Sequence, residues 1–437
     1  MPQPTLSSQL CHTLADWLCY IEQRHPIDNI ELGLSRVAAV ATKAQLQQLP
    51  GRTILIGGTN GKGTTARTLE QLLLAQSFSV GVYSSPHLLR FNERLRVNAQ
   101  DLPDEQWLAG FAAVEALRGD TELTYFEFTT LVAFWLLRQA APDFCLIEVG
   151  LGGRLDATNI IEPELSIITT VDLDHQDWLG NDRETIGREK AGIMRPGKLV
   201  IVGDPQPPLS VLEHAKLLGS TVVAVGQQYH YQLEQAQWHW HWQFDQLPGA
   251  SLPDSAQQYR NLPLAQIPVQ NIATSLAALA ALQLLPTPNQ LQQCLATLNL
   301  PGRMQWLGRK PAILVDVAHN PQSTAYLASQ LTIVAPKYRR VLALVGMLKD
   351  KDLKQSLQPL TSLIDQWHLV TLHTGRGASA TQLSAALPAS VSCLKHEQLA
   401  PAFNQLRAEL ADDELLVIFG SFVTVSEVMA ITMKEAE

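Results

Sequence analysis

The sequence predicts an α/β protein in two domains: a larger one built on a parallel sheet with a small β-ribbon region, and a smaller α/β domain after it. Three observations predict this. Apolar runs of strand length alternate with helical patterns through most of the chain, the mark of β-α-β units with helices on both sheet faces. The first clear run, Thr53-Ile54-Leu55-Ile56, leads into a glycine-rich turn and a helical pattern. The chain of 437 residues also exceeds the length at which a single core keeps growing.

The strands expected in the first domain are Thr53–Ile56, Val80–Ser84, Phe144–Val149, Leu165–Val171, Leu199–Val202 and Thr221–Val225. Beyond them, the strict alternation from Trp238 to Phe244 puts Trp238, Trp240, Trp242 and Phe244 on one face of a ribbon strand. His230, His239 and His241 then read as polar positions of a half-buried strand rather than as a metal set. Asn271–Leu284 reads as an Ala/Leu-rich helix, and Pro301-Gly302 marks a hinge. A second series follows: Ala312–Val317, Val341–Val345, His368–Leu372 and Leu415–Gly420. The domains expected are therefore 1–298 and 299–437, with no internal repeat and no low-complexity segment.

Composition narrows the function. A net charge of −9 without a basic tract argues against a nucleic-acid binder, so an anionic substrate would meet a few placed cations. Five cysteines, odd in number and widely spaced, fit reduced thiols in the cytoplasm. No signal-type apolar core stands at the N-terminus and no apolar run is long enough to cross a bilayer, which excludes a membrane role. A monomer is the default.

The turn Gly58-Thr59-Asn60-Gly61-Lys62-Gly63-Thr64-Thr65 has the make-up of a phosphate cradle and opens a helical pattern from Ala66 to Ala75. Glycines let consecutive N–H groups point at one anion, a helix N-terminus adds its dipole, and Lys62 supplies a point charge for terminal phosphates. The first domain is thus expected to be P-loop-type and to take a nucleoside triphosphate. Two departures from the usual loop stand out: Ile56 replaces the first glycine, and Gly63 separates Lys62 from the first hydroxyl. In the usual loop that hydroxyl holds Mg²⁺, so another oxygen has to take its part.

Glu148 closes the buried run Cys145-Leu146-Ile147, at the sheet edge where ligands of such folds bind, and is a candidate Mg²⁺ ligand. The same edge should receive Asp172-Leu173-Asp174-His175 and Ser84-Ser85-Pro86-His87.

Taken in order, seven segments resemble the signature set of the folylpolyglutamate synthases. They are Gly58 to Thr64, Ser84 to Leu88, Glu148 to Asn159, Leu173-Asp174-His175, Gly187 to Ile193, Pro301-Gly302-Arg303 and Asp316 to Pro321. The resemblance is to the bacterial bifunctional dihydrofolate synthase/folylpolyglutamate synthase family, within the wider superfamily of Mur ligases. It implies a Mur-ligase-like ATP-binding domain with a pterin site, followed by a Rossmann-like glutamate-ligase domain. It also implies an ATP-dependent ligase that joins L-glutamate to 7,8-dihydropteroate, and further glutamates to tetrahydrofolate and its polyglutamates, through an acyl phosphate.

The resemblance also implies roles residue by residue. Thr59, Asn60, Gly61, Lys62, Gly63 and Thr64 would bind ATP, with Asn271, Arg303 and Asp316 as further nucleotide contacts. Ser85, Glu148 and His175 would hold magnesium, Ser85 supplying the oxygen that Gly63 displaces. Lys190 would be carried as a carbamate able to hold a second Mg²⁺, which needs a neutral amine; by itself it reads as a surface lysine on a helix Arg183–Met194. Lys62, Lys190 and His319 are the candidate catalytic residues, with Asn320 in the same cleft. The pterin substrate would meet Gln23-Arg24-His25-Pro26, Thr124 and Leu155-Asp156-Ala157. Pro268-Val269-Gln270 and Val423 depart from the family pattern. Two alternatives stay open: an enzyme that only extends polyglutamates, and a catalytically silent ATP-binding regulator. A peptidoglycan-precursor ligase is disfavoured by Gly63 and by Leu155-Asp156-Ala157.

Overall fold

In the computed structural model, which describes residues 8–243 and 258–434, the apolar runs become the central strands of two separate sheets. The described residues form two units: 8–87, 91–171, 182–243 and 258–298 in the first, and 88–90, 172–181 and 299–434 in the second.

The first unit carries β1 (Arg52–Gly57), β2 (Val80–Tyr83), β3 (Leu95–Val97), β4 (Gln100–Asp101), β5 (Phe144–Glu148), β6 (Leu165–Ile168), β7 (Leu199–Val202) and β8 (Thr221–Ala224). They form one sheet in the order β4-β3-β2-β5-β1-β6-β7-β8. The six strands from β2 to β8 run parallel, and β3 and β4 add an antiparallel edge. Ile54, Leu55 and Ile56 of β1 are fully buried, as are Cys145, Leu146 and Ile147 of β5. Each large apolar side chain so buried contributes about 1.5–3 kcal/mol. The strand expected over Leu165–Val171 stops at Ile168. The hydroxyls of Thr169 and Thr170 turn instead to the carbonyl of Asn60.

The ribbon has three antiparallel strands, β9 (Tyr229–Leu233), β10 (Gln237–Trp242) and β11 (Gln258–Pro263), in the order β11-β10-β9. Trp238, Trp240 and Trp242 share its buried face, and Trp240 Nε1 donates to Ala273 O at 3.1 Å on the helix Val269–Ala281. Phe244, expected on that face, lies outside the described residues. His230 Nε2 is paired with Gln243 Oε1 at 3.0 Å, and His239 Nε2 lies 3.1 Å from Glu234.

The second unit carries β12 (Gln305–Arg309), β13 (Ala312–Asp316), β14 (Arg340–Val345), β15 (Gln366–Val370), β16 (Cys393–His396) and β17 (Glu414–Phe419), ordered β12-β13-β17-β14-β15-β16. All pairs are parallel except the β12–β13 edge. Its two faces are covered by separate apolar cores, one around Trp367 and Leu327, the other around Phe403 and Val428.

Candidate active site

The helix after β1 begins at Lys62, one turn before the apolar pattern that announced it at Ala66. Gly61 makes this possible: at φ +90° it adopts a turn that side chains resist, and an added Cβ would lie 2.5 Å from Asn271 Oδ1. Gly58 is equally constrained, since its Cβ would meet Thr169 Oγ1. The loop is tied down on both sides. Thr59 N donates to Thr170 O at 2.7 Å and Asn60 N to Thr170 Oγ1 at 3.1 Å, while Asn271 Nδ2 donates to Thr64 Oγ1 at 2.6 Å. Lys62 curls back, its Nζ donating to the carbonyls of Gly58 at 3.0 Å and Thr59 at 3.3 Å. Gly63 follows Lys62 inside the helix's first turn.

The sheet brings two further candidates beside this loop. Ile56 pairs with Glu148 and Val149 N donates to Ile56 O at 2.9 Å, so Glu148, 6 % exposed, ends its strand next to the loop strand. Tyr83 pairs with Ile147, so the chain leaves β2 through Ser84 and Ser85 beside Glu148. His87 Nδ1 accepts from Arg94 Nε at 3.0 Å; burial and the Arg94 charge hold this imidazole down to about 4.

Lys190 lies on the helix Arg183–Ala191, three residues shorter than expected, and it is buried rather than on the surface. The cause is the glycine segment after β5. Arg154 N donates to Glu189 O at 2.8 Å, and an added Cβ on Gly153 would approach Glu189 O to 2.7 Å. That close approach shuts the helix face on which Lys190 sits.

The pterin candidates come from three segments of the first unit. Thr124 caps the helix Tyr125–Ala140, accepting from Glu127 N at 3.1 Å while Glu127 Oε2 accepts from Thr124 N at 2.7 Å. Asp156 is buried and accepts from Leu151 N at 2.8 Å and from Thr158 N and Oγ1 at 3.0 and 2.6 Å. Burial pushes its carboxyl up against those hydrogen bonds. Leu155 and Ala157 flank it, and Leu155 O accepts from Gly33 N at 3.2 Å. Gln23 and Arg24 end the helix Leu14–Arg24, where Gln23 Nε2 meets Cys19 Sγ and Arg24 Nη1 meets Tyr20. His25 Nε2 lies 3.4 Å from Glu31 Oε1, and Pro26 O accepts from Asn29 N. The loop at Gly33 reaches the Leu155 segment.

In the second unit, His175, His319 and Asn320 gather around Asp174. Lys351 Nζ donates to Asp174 Oδ1 at 2.5 Å, Asn320 Nδ2 to Oδ2 at 2.9 Å, and His319 Nε2 lies 3.6 Å from Oδ2. Burial pushes the Asp174 carboxyl up, but the His319 hydrogen bond and the charges of Lys351, His175 and His319 outweigh it and hold it far below the usual range. His175 Nε2 sits 3.3 Å from Lys351 Nζ, and His319 Nδ1 donates to Val317 O at 2.8 Å. Asp316, buried at the end of β13, accepts from Met304 N and Ala318 N; burial raises its carboxyl, with the Arg303 charge opposing. Arg303 itself stacks 5.7 Å from the Phe422 ring centroid.

Residues 56–282 match the Mur ligase middle domain and residues 302–422 the Mur ligase glutamate ligase domain. The dihydrofolate synthase/folylpolyglutamate synthase of Escherichia coli (strain K12) is 42 % identical over 423 residues, covering 97 % of this chain and 96 % of the relative. The enzyme of the same name from Haemophilus influenzae is 41 % identical, covering 96 % and 97 %. The chain belongs to the dihydrofolate synthase/folylpolyglutamate synthase family. Among structures, E. coli FolC in complex with DHPP and ADP superposes with a TM-score of 0.90 at 41 % identity, covering 99 % of this chain and all of that one. A bifunctional folylpolyglutamate synthase/dihydrofolate synthase with Mn, AMPPNP and L-glutamate bound gives 0.88 at 41 % identity, covering 98 % and 100 %. As a member of this family the chain is an ATP-using Mur-type ligase that works with a divalent metal.

For that metal, Glu148 and Ser85 offer hard oxygen donors at adjoining strand ends, which suits Mg²⁺. No group of three or more His, Cys, Asp and Glu side chains is gathered among the described residues. Of the four residues expected at the metal, only Glu148 and His175 are of those types. Lys351 and Arg94 were not singled out by sequence: neither sits in a run of unusual composition, and only their burial marks them.

Proposed function

We propose that this chain joins L-glutamate to 7,8-dihydropteroate, forming dihydrofolate, and adds further glutamates to tetrahydrofolate and its polyglutamates. The observation that carries the reading is the β1 loop with Lys62 at its mouth, flanked at adjoining strand ends by Ser85 and Glu148. An acceptor carboxylate oxygen attacks the γ-phosphorus of ATP; the bond to the β,γ-bridging oxygen breaks and ADP leaves. The neutral amine of glutamate then attacks the acyl carbon, loses a proton, and phosphate departs. Such chemistry depends on positioning and on charge neutralisation, which suits a fixed ammonium and needs no covalent enzyme intermediate.

Thr59, Asn60, Gly61, Lys62, Gly63 and Thr64 cradle the phosphates, with Asn271 bracing the loop through Thr64. Arg303 and Asp316 serve the nucleotide as well, and His319 and Asn320 the glutamate or phosphate. Ser85, Glu148, His175 and a carbamate on Lys190 would hold two Mg²⁺ ions, which when bound would neutralise phosphate oxygens. Lys190 is buried on its helix, and carbamate formation needs its amine neutral. Asp156 shapes the pterin pocket with Leu155, Ala157 and Thr124. We place the protein in the cytoplasm as a monomer; its five cysteines are free thiols, and no described helix is long and apolar enough to cross a membrane.

The test is ADP release by purified protein with Mg²⁺, ATP and L-glutamate, comparing dihydropteroate with tetrahydrofolate as acceptor. Turnover with both is expected. Turnover with tetrahydrofolate alone would reduce the protein to a polyglutamate-extending enzyme, and silence with both would leave an ATP-binding regulator.

A further inference from the structure

Arg94 is a buried cation in the first unit, 4 % exposed, that no carboxylate among the described residues neutralises. Several other buried charges of the unit are met by an opposite charge. Glu70 is bridged by Arg67 and Arg96, Arg118 by Glu115, Glu127 by Arg36, and Asp204 by Arg183. Arg94 has only neutral neighbours. Its Nε donates to His87 Nδ1 at 3.0 Å, and its guanidinium lies 5.4 Å from the Phe91 ring centroid and 5.8 Å from that of Tyr125. Among the described residues, its two Nη groups find no hydrogen-bond acceptor. Neither Nη is among the fully enclosed atoms that lack a partner, so both stay open to a ligand, and a largely buried cation is stabilised when an anion comes to it.

Its place in the sheet says which anion. Ser84 N donates to Arg94 O at 2.9 Å, so the Arg94 backbone is anchored one residue from Ser85. Arg94 directly precedes β3, and the order β3-β2-β5-β1 puts three strand spacings, roughly 14 Å, between β3 and the strand that carries the phosphate loop. That spacing keeps the fork out of the phosphate loop itself and leaves room between the two for a carboxylate that faces the γ-phosphate. On the same side, Tyr83 stacks on Phe126 at 6.4 Å, and Phe126 closes over Gly150 beside Asp156, the wall assigned above to the pterin. A planar guanidinium held flat by two aromatic rings presents a fork that matches a carboxylate.

We propose that Arg94 receives the reacting carboxylate of the acceptor, presenting it to the γ-phosphate while the pterin end lies toward Phe126 and Asp156. This assignment rests on the ligase reading. His87 and the two rings hold the fork in place without cancelling its charge, and the acyl phosphate formed in the first step keeps an anion beside it.

The experiment measures equilibrium binding of 7,8-dihydropteroate and of its carboxamide to the full chain, as wild type, Arg94→Gln and Arg94→Lys. The wild type is expected to prefer the carboxylate by about 30-fold or more, the scale on which loss of a buried charge partner acts. In Arg94→Gln that preference should fall to about threefold or less, with carboxamide affinity and ADP affinity unchanged. Arg94→Lys, which keeps the charge without the fork, should lie between and serves if the glutamine variant does not fold. Equal losses for both ligands, or wild-type selectivity in either variant, would overturn the assignment. A wild type that releases ADP but does not discriminate the ligands overturns it while leaving the ligase reading intact. A wild type that binds neither ligand and releases no ADP removes both.

Discussion

Lys62 in the first unit and Lys351 in the second are both held in place, by opposite means. Lys62 Nζ donates to two carbonyls of its own loop, at 3.0 and 3.3 Å. Lys351, 8 % exposed, donates to the carboxylate of Asp174, 177 residues away in sequence. Carbonyl dipoles orient an ammonium at the loop, whereas a buried carboxylate cancels a charge. The first arrangement fixes the lysine beside the glycine turn; the second makes a pin that holds two loops and two imidazoles. Arg94 differs from both, held by an imidazole and two rings.

The largest effects come from exchanging the two lysines for methionine. Lys62→Met should lower ADP release by about 10³-fold or more, as for loss of a fixed charge at a transferring phosphoryl group. Its urea midpoint should stay where it was. Lys351→Met should do the reverse, costing about 3–5 kcal/mol of stability because the buried Asp174 loses its ammonium partner. Adding Asp174→Asn should recover part of that loss. If urea denaturation shows Lys351→Met to be as stable as the wild type, the contrast between the two lysines does not hold.

A smaller effect sharpens the same contrast at the loop. Gly61→Ala forces a side chain to φ +90° and against Asn271, at a cost of about 2 kcal/mol. Nucleotide affinity, measured by titration with a fluorescent ADP analogue, should fall about tenfold or more, because the carbonyls that hold Lys62 move with the turn.

The smallest effect concerns a pair of imidazoles in the second unit. His368 Nδ1 and His396 Nε2 are 2.9 Å apart on neighbouring strands, with ring centroids at 5.2 Å. Burial first, and then the charges of His396 and Arg340, lower His368 to about 4, and burial lowers His396 as well. The unfolded chain therefore binds protons that the folded one refuses. Stability should be complete above the ordinary histidine value near 6.5, and should fall as pH drops from there toward 4. The expected loss between pH 7 and pH 5 is on the order of 1–2 kcal/mol. His368→Phe should flatten that slope in urea denaturation at the two pH values, and an unchanged slope would assign it to other groups.

Legibility in the sequence followed chain locality. The parallel strands were readable because β1, β5, β6 and β7 are buried on both faces and so run almost without polar residues. The edge strands were not. Leu95–Val97 and Gln100–Asp101 are too short for a period, and Gln258–Pro263, polar and ending in proline, forms a strand only because β10 offers it a partner. The phosphate loop was readable because its glycines, lysine and hydroxyls are contiguous. The burial of Lys190 was not, since its helix, RETIGREKA, carries charges on every side and becomes covered only where Gly153 lets the backbone approach.

From the sequence alone, then, came the α/β class, the positions of the buried strands along the chain, the nucleotide loop and the ordered set of segments that resembles the family. These depend on neighbours in the chain: the period of apolar residues, the freedom of glycine and the charge of one lysine. Tertiary structure decided what each charge faces. That Lys351 meets Asp174, that Lys190 is enclosed and that Arg94 meets no carboxylate are matters of burial and of partners brought from distant positions. In a low-dielectric interior those partners, rather than the residue type, determine whether a charge is spent on the fold or kept for a ligand.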